Sequence, residues 1–244
     1  MDDAIKSENN LQFEGTKDCP LGKTSEVARE KYRQLSYNVE DYYEHFSCFA
    51  SPKTLSKYIS LYECYKKTLG LAGHIAEMGV FRGASSLFFA KMSVLYEPQT
   101  ITQVHAFDWW KEPTESDSPA WTYYESFERI HDLVHVQGLQ RYVLLHRMNV
   151  LKELTVFFQK NSHLQFKLVY LDAGEYDLTI RGITEFWPRL VTGGILILDQ
   201  FNMEIAPGET QAVKELLPED AVIRTFPNGW MPTAYVVKGE KLGQ

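Results

Sequence analysis

The chain's 244 residues are 44% hydrophobic and 23% charged, which suits one α/β domain with a substantial core. A net charge of −7, with no long run of lysine or arginine, argues against a nucleic-acid partner. No apolar run approaches the ~20 residues of a membrane span, so no membrane association is expected. The opening MDDAIKSENN is too polar for a signal peptide. Cys19, Cys48 and Cys64 form no C-x-x-C pair, so neither a disulfide framework nor a zinc knuckle is expected, and a cytoplasmic location is.

In chain order, residues 1–24 are polar and punctuated by Gly15, Pro20 and Gly22. They read as a loose arm, the ordinary behaviour of a terminus, or as a cover for a site or a neighbouring subunit. A helix is expected from Ser25 to Asn38, which makes residues 1–40 an N-terminal arm and helix and residues 41–244 one domain. Two helices follow, broken at Ser51-Pro52, with proline in a first turn. Leu55, Tyr58, Ile59, Tyr62 and Tyr65 recur at helical spacing and predict a buried stripe.

From His74 the pattern alternates. Strands are expected at HIAEMGV, ITQVHAFD (101–108), RYVLLHR, FKLVYLDA and ILILDQF, each followed by a helical or irregular stretch. Gly193-Gly194 is read as the turn into the fifth strand. AVIRTF and TAYVVKG close the chain as an antiparallel pair around an Asn228-Gly229 turn. The fold predicted is α/β and Rossmann-like: seven strands, mostly parallel, with an antiparallel C-terminal hairpin and helices on both faces.

The stretch the rest is organised around is HIAEMGVFRGASS, residues 74–86. An apolar strand reaches Glu77, a turn spans Gly79 and Gly83, and Ser85 and Ser86 open a helix. Glycine lets backbone approach a ligand closely, and free amides at a helix start can hold an anion. The spacing E-x-G-x-x-x-G is not the G-x-G-x-x-G of dinucleotide folds, which counts against a nicotinamide-dependent oxidoreductase. A purely structural turn is the other reading of this stretch alone.

Ligands in open α/β sheets bind beyond the carboxyl ends of the strands. There the sequence places Glu77, then Asp108 with Trp109 and Trp110, then Asn149, Asp172, and Asp199 with Gln200. One such acid can simply cap a helix; four on one rim point to a site. An acid ending the second strand suits a ribose diol. Asn149 suits a purine edge. Asp172 and Asp199, on neighbouring strands, could act as base, hold a cation or grip an amine. His105, His131, His135 and His146 are alternative bases. His131 and His135 share a helix face that reads as solvated, no third metal ligand being evident.

EMGVFRGASS, FD at 107–108, YLDAGEYDLT at 170–179 and WPRLVTGGILILDQF at 187–201 resemble class I S-adenosylmethionine-dependent methyltransferases, and among them the macrocin O-methyltransferase group, over about residues 55–238. The resemblance implies a methyltransferase domain over 41–244 and methylation of a sugar or small natural-product hydroxyl. It implies cofactor contacts from Glu77, Gly79, Phe81, Arg82, Gly83, Ser85, Ser86, Asp108, Asn149 and Asp172. It makes Asp172 and Asp199 the catalytic acids, and Trp109, Trp110, Tyr176 and Gln200 acceptor residues. The family pattern D-x-D-x-Y and its Asp-Asp at strand five become Gly174 and Gln200 here. Two expected magnesium ligands are thus absent, leaving Asp172 and Asp199 if a metal binds at all.

The stretch Trp109–Trp121 is expected to be an acceptor lid, its tryptophan faces suiting sugar or aromatic rings. The expected partner is a small molecule, with a homo-oligomer compatible. An amine or carboxylate acceptor, and a cofactor-binding scaffold whose catalytic acids have decayed, stay open as alternatives.

Overall fold

The computed structural model describes residue 35 and residues 38–110, 126–204, 206–227 and 230–241. The expected arm, most of the helix over 25–38, the greater part of the Trp109–Trp121 lid and the Asn228-Gly229 turn lie outside the described residues.

Alternation of strand and helix produces the expected sheet. β1 (His74–Met78), β2 (Val104–Asp108), β3 (Val143–Arg147), β4 (Phe166–Leu171), β5 (Leu190–Leu198), β6 (Ala221–Thr225) and β7 (Ala234–Lys241) lie in the order β3-β2-β1-β4-β5-β7-β6. β1 to β5 are parallel; β7 is antiparallel to both β5 and β6. The order reverses between β1 and β4, so the clefts beyond these two strands form the switch point at which ligands bind.

The period of two sorts the strand residues between two cores. Ala76, Met78, Val169, Leu171, Leu196 and Leu198 pack with α6 (Val150–Lys160), α7 (Tyr176–Phe186) and α8 (Pro207–Leu216). Ile75, Leu168, Tyr170, Ile195 and Ile197 pack with α3 (Pro52–Lys67), α4 (Ala84–Tyr96) and α5 (Phe127–Val136). The second parity also carries Glu77 and Asp199, so the acids at these strand ends aim towards α3 and α4. α1 (Val39–Glu44) and α2 (Phe46–Phe49) precede α3.

α3 begins as the sequence predicts. Ser51 caps it by accepting the Thr54 amide at 3.1 Å, and Pro52 takes its first turn. Its buried face matches the predicted stripe in part. Tyr65 is buried and Leu55, Tyr58 and Tyr62 are half-buried, whereas Ile59 is 47% exposed and Ser60, Leu61 and Cys64 face inwards as well. The Tyr62 hydroxyl stays at the surface, where it meets Tyr96, oxygen to oxygen at 2.9 Å. Gly193 and Gly194 lie within β5 rather than ahead of it, where the β4–β5 register shifts.

Candidate functional site

The glycine turn is shaped by contact between strand ends. Gly79 has φ +91°, and a Cβ there would overlap the Asp172 carbonyl oxygen. Only glycine fits a left-handed residue against that backbone. Gly83, also left-handed, starts α4. Leu87 donates to the Gly83 carbonyl, so the Ala84, Ser85 and Ser86 amides precede the helical ladder. Phe81, at φ 52°, is 41% exposed, and the Arg82 guanidinium lies 5.1 Å from its ring.

Glu77 and Asp108 are brought to this turn, each already engaged. Buried Glu77 accepts a short hydrogen bond from the Ser86 hydroxyl. Burial pushes its pKa up to about 8, with Ser86, Lys57 and Ser85 opposing. Both serine hydroxyls thus serve Glu77, and their amides are what the helix start offers an anion. Asp108 Oδ2 accepts the Val80 and Phe81 amides, each at 2.8 Å, and Oδ1 accepts the Trp110 amide at 3.1 Å. A carboxylate has about four lone-pair sites, so this acid first fixes the turn and retains little capacity for a diol.

The two tryptophans part here. Trp109 is 49% exposed. Trp110 is buried, donates its indole N–H to the Phe81 carbonyl at 3.1 Å and packs on Phe127 at 5.3 Å. Trp109 is thus the exposed member of the pair, while Trp110 pins the turn. Asn149 is the residue ahead of α6, its amide donating to Glu153 Oε2 at 2.6 Å. Tyr176 donates its hydroxyl to Glu215 on α8 at 2.5 Å.

Asp172 and Asp199 come together at the ends of β4 and β5, bridged by two residues the sequence did not single out. Tyr170, fully buried, donates a short hydrogen bond to Asp199 Oδ1 and lies 3.1 Å from Asp172 Oδ2. Lys57, on the inward side of α3 one turn before Leu61, donates to Asp172 Oδ2 at 3.3 Å. Burial, then the charge of Asp172, holds the Asp199 carboxyl well above the usual carboxylate range. Burial and then both aspartates raise the Tyr170 phenol. The carboxylates of Asp172, Asp199 and Glu77 raise Lys57 and outweigh its burial. Lys57 thus pairs with Asp172, while burial favours the protonated form of Asp199.

Gly174 and Gln200, the two departures from the family pattern, are in contact. Gln200 Oε1 fills the space a Cβ on Gly174 would take. The Gln200 amide donates to Glu209 Oε1 at 2.9 Å; Glu209 is fully buried and its pKa is pushed up to about 8 by that burial. Glu209 is a third residue the sequence did not reveal. Magnesium finds a poor fit. Asp172 Oδ2 and Asp199 Oδ1 are engaged by Lys57 and Tyr170, and among the described residues no three His, Cys, Asp or Glu side chains gather to hold a metal. The His131 and His135 rings lie 4.2 Å apart, tilted by 43°, on a solvent-exposed helix face. His105 is buried in the sheet and His146 half-buried beside it, 3.1 Å apart between ring nitrogens.

A family model described as a methyltransferase domain matches residues 76–201, just over half of the chain, from within β1 to the end of β5. The chain belongs to this methyltransferase family. No curated protein sequence matches it. Among solved structures, the methyltransferase is similar to CalS11, a TDP-rhamnose 3′-O-methyltransferase of calicheamicin biosynthesis. One CalS11 structure aligns with TM-score 0.73 and 24% identity over 91% of this chain and 96% of that one. A second gives 0.77 and 21%, over 91% and 95%. The O-methyltransferase NovP aligns with TM-score 0.63 and 15% identity over 76% and 81%. These likenesses establish the Rossmann-like methyltransferase fold. No described helix is long and apolar enough to cross a membrane.

Proposed function

We propose that this methyltransferase transfers the methyl group of S-adenosylmethionine to a hydroxyl of a sugar or sugar-bearing natural product. The observation that carries the reading is the paired cluster of Asp172, Lys57, Tyr170 and Asp199, set beside a glycine turn at the switch point of the sheet. The sugar acceptor is supported by the likeness to CalS11 across nine-tenths of the chain.

The cradle fits the cofactor. Gly79 and Gly83 let the turn close against the Asp172 carbonyl and Ile130, the Ala84–Ser86 amides suit the cofactor's carboxylate, and Asn149 lies at the rim where adenine would rest. Phe81 and Arg82, exposed on the turn, would border it. When bound, S-adenosylmethionine supplies a methyl group on a positively charged sulfur. Asp172, 26% exposed and paired with Lys57, is the base for the acceptor hydroxyl, because Asp199 is buried and that burial favours its protonated form. Tyr170 and Asp199 fix the Asp172 carboxylate from below, and positioning does most of the catalytic work. Trp109 and Gln200 would border the acceptor.

Calorimetry with S-adenosylhomocysteine, followed by a labelled-methyl assay on TDP-rhamnose as the first acceptor, tests the reading. Micromolar binding with Asp172→Asn reducing transfer by roughly a hundredfold or more supports it. Absence of S-adenosylhomocysteine binding overturns it.

A further inference from the structure

We propose that Lys57 is the resident cation of the acceptor site: its ammonium takes, on Asp172, the place a divalent metal ion would need, and the protein handles its acceptor without one. The inference rests on the reading of this cleft as the methyl-transfer site, and it adds a residue, and independence from a metal, that neither the family pattern nor the strand-end acids contain.

Three observations of geometry meet here. First, Lys57 is built into the site. α3 is docked by Leu61, Cys64 and Tyr65, all fully buried, and Lys57 lies one turn earlier on that face with its nitrogen 3.3 Å from Asp172 Oδ2 and 5.4 Å from the Tyr170 ring. Tyr170 is itself hydrogen-bonded to both aspartates, so the lysine sits on a carboxylate whose orientation is fixed. Second, the neighbouring positions that would complete an oxygen shell are closed. Gly174 supplies no side chain, and Gln200 Oε1 fills the volume in which one would start. Third, the backbone that carries Gln200 is held in place: its main-chain N–H donates to Glu209 Oε1 at 2.9 Å, and the Asn202 main-chain N–H donates to the Thr210 hydroxyl on the same helix at 2.6 Å. A hard cation needs six or more oxygen ligands, and here the ammonium and the amide have taken the space.

An ammonium has three donors and Asp172 uses one. The other two can meet an acceptor oxygen, orienting it and stabilising the negative charge it develops, which is the electrostatic task a metal performs at comparable sites. Lys57 is therefore a positioning residue with a charge that matters, and an arginine in its place keeps that charge.

Manganese is the probe, because the free ion's paramagnetic resonance signal falls on binding. Wild-type protein, Lys57→Arg, Lys57→Gln and Asp172→Asn are titrated without cofactor and again with S-adenosylhomocysteine. Wild type and Lys57→Arg are expected to leave manganese free, and Lys57→Gln to bind it at least about tenfold more tightly, since a fixed positive charge beside the carboxylate has gone. Manganese bound by wild type and lost in Asp172→Asn overturns the proposal, as does Lys57→Gln binding no better than wild type while its thermal transition is intact. Should Lys57→Gln not fold, the wild-type and Asp172→Asn titrations decide alone: a free ion in wild type sustains the proposal, and one bound through Asp172 ends it. The cofactor-free titration judges Lys57 whatever the outcome with S-adenosylhomocysteine, which judges the methyl-transfer reading separately.

Discussion

Gly79 shows how much a single residue can carry. Its positive φ and the Asp172 carbonyl pressed against its Cα leave no room for a side chain. Gly79→Ala is expected to cost at least ~2 kcal/mol, the sum of left-handed strain and a backbone displacement, measured by urea unfolding. Asp108 carries the same turn by hydrogen bonds. Asp108→Ala strands three backbone amides at a partly open site, so S-adenosylhomocysteine binding should weaken at least about tenfold with a loss of only ~1–3 kcal/mol in stability. Calorimetry and thermal melting separate the two effects. Both residues were legible in the sequence because glycine in a strand-to-helix turn and an acid at a strand end are local signals. Lys57 was not, because its partner Asp172 is 115 positions away and nothing near Lys57 announces it. Tyr170 was hidden for another reason: inside FKLVYLD it reads as one more apolar strand residue, and only the convergence of two strand ends turns its hydroxyl into a bridge. Glu209 sits in a helix first turn, where an acid is unremarkable.

Whole elements were legible where their polarity is one-sided. α6 has its predicted bounds, Val150–Lys160, because its apolar residues fall at Val150, Leu154 and Phe158 on one face. The predicted stripe of α3 missed Ser60, Leu61 and Cys64, and its inward face ends in a polar arrangement at the opposite end of the strands from the cleft. There Lys167 on β4, fully buried, meets both carboxylate oxygens of Glu97 at 2.6 Å, and Tyr65 of α3 donates to the same carboxylate at 2.6 Å. One ion pair thus fastens α3 and the end of α4 to the central strand, and it indirectly sets the depth at which Lys57 enters the site. Lys167→Met leaves a buried carboxylate without its partner and should cost about 3–5 kcal/mol. Combining it with Glu97→Gln should recover part of that loss, because no buried charge then remains. Denaturant midpoints of the two variants test the pair, and equal losses in single and double variants would count against it.

At the scale of the molecule, buried ionisable groups set how the fold responds to pH. Burial lowers His105 to about 3 and His146 to about 4, from an ordinary value near 6.5. The unfolded chain therefore binds more protons than the folded one between these values, and stability falls as pH drops from about 6.5 towards 4. The slope is ~1.4 kcal/mol per pH unit for each histidine that must charge. Glu77 works the other way. Its folded pKa of about 8 lies above its ordinary value of 4.5, so its contribution is complete below 4.5 and is lost as pH rises through 8. Buried Glu209, also near 8, adds to the same arm. The two histidines and the two carboxyls oppose each other with nearly equal slopes between 4.5 and 6.5, which leaves a broad maximum near the middle of that window. Glu77→Gln, which keeps the shape and an oxygen for Ser86, should flatten the decline between pH 6.5 and 8 while leaving the acid arm unchanged. His146→Gln should do the reverse. Urea midpoints across this range read both slopes, and an alkaline arm untouched by Glu77→Gln would mean that this carboxyl ionises freely in the folded protein, with the proton at the base of the glycine turn held elsewhere.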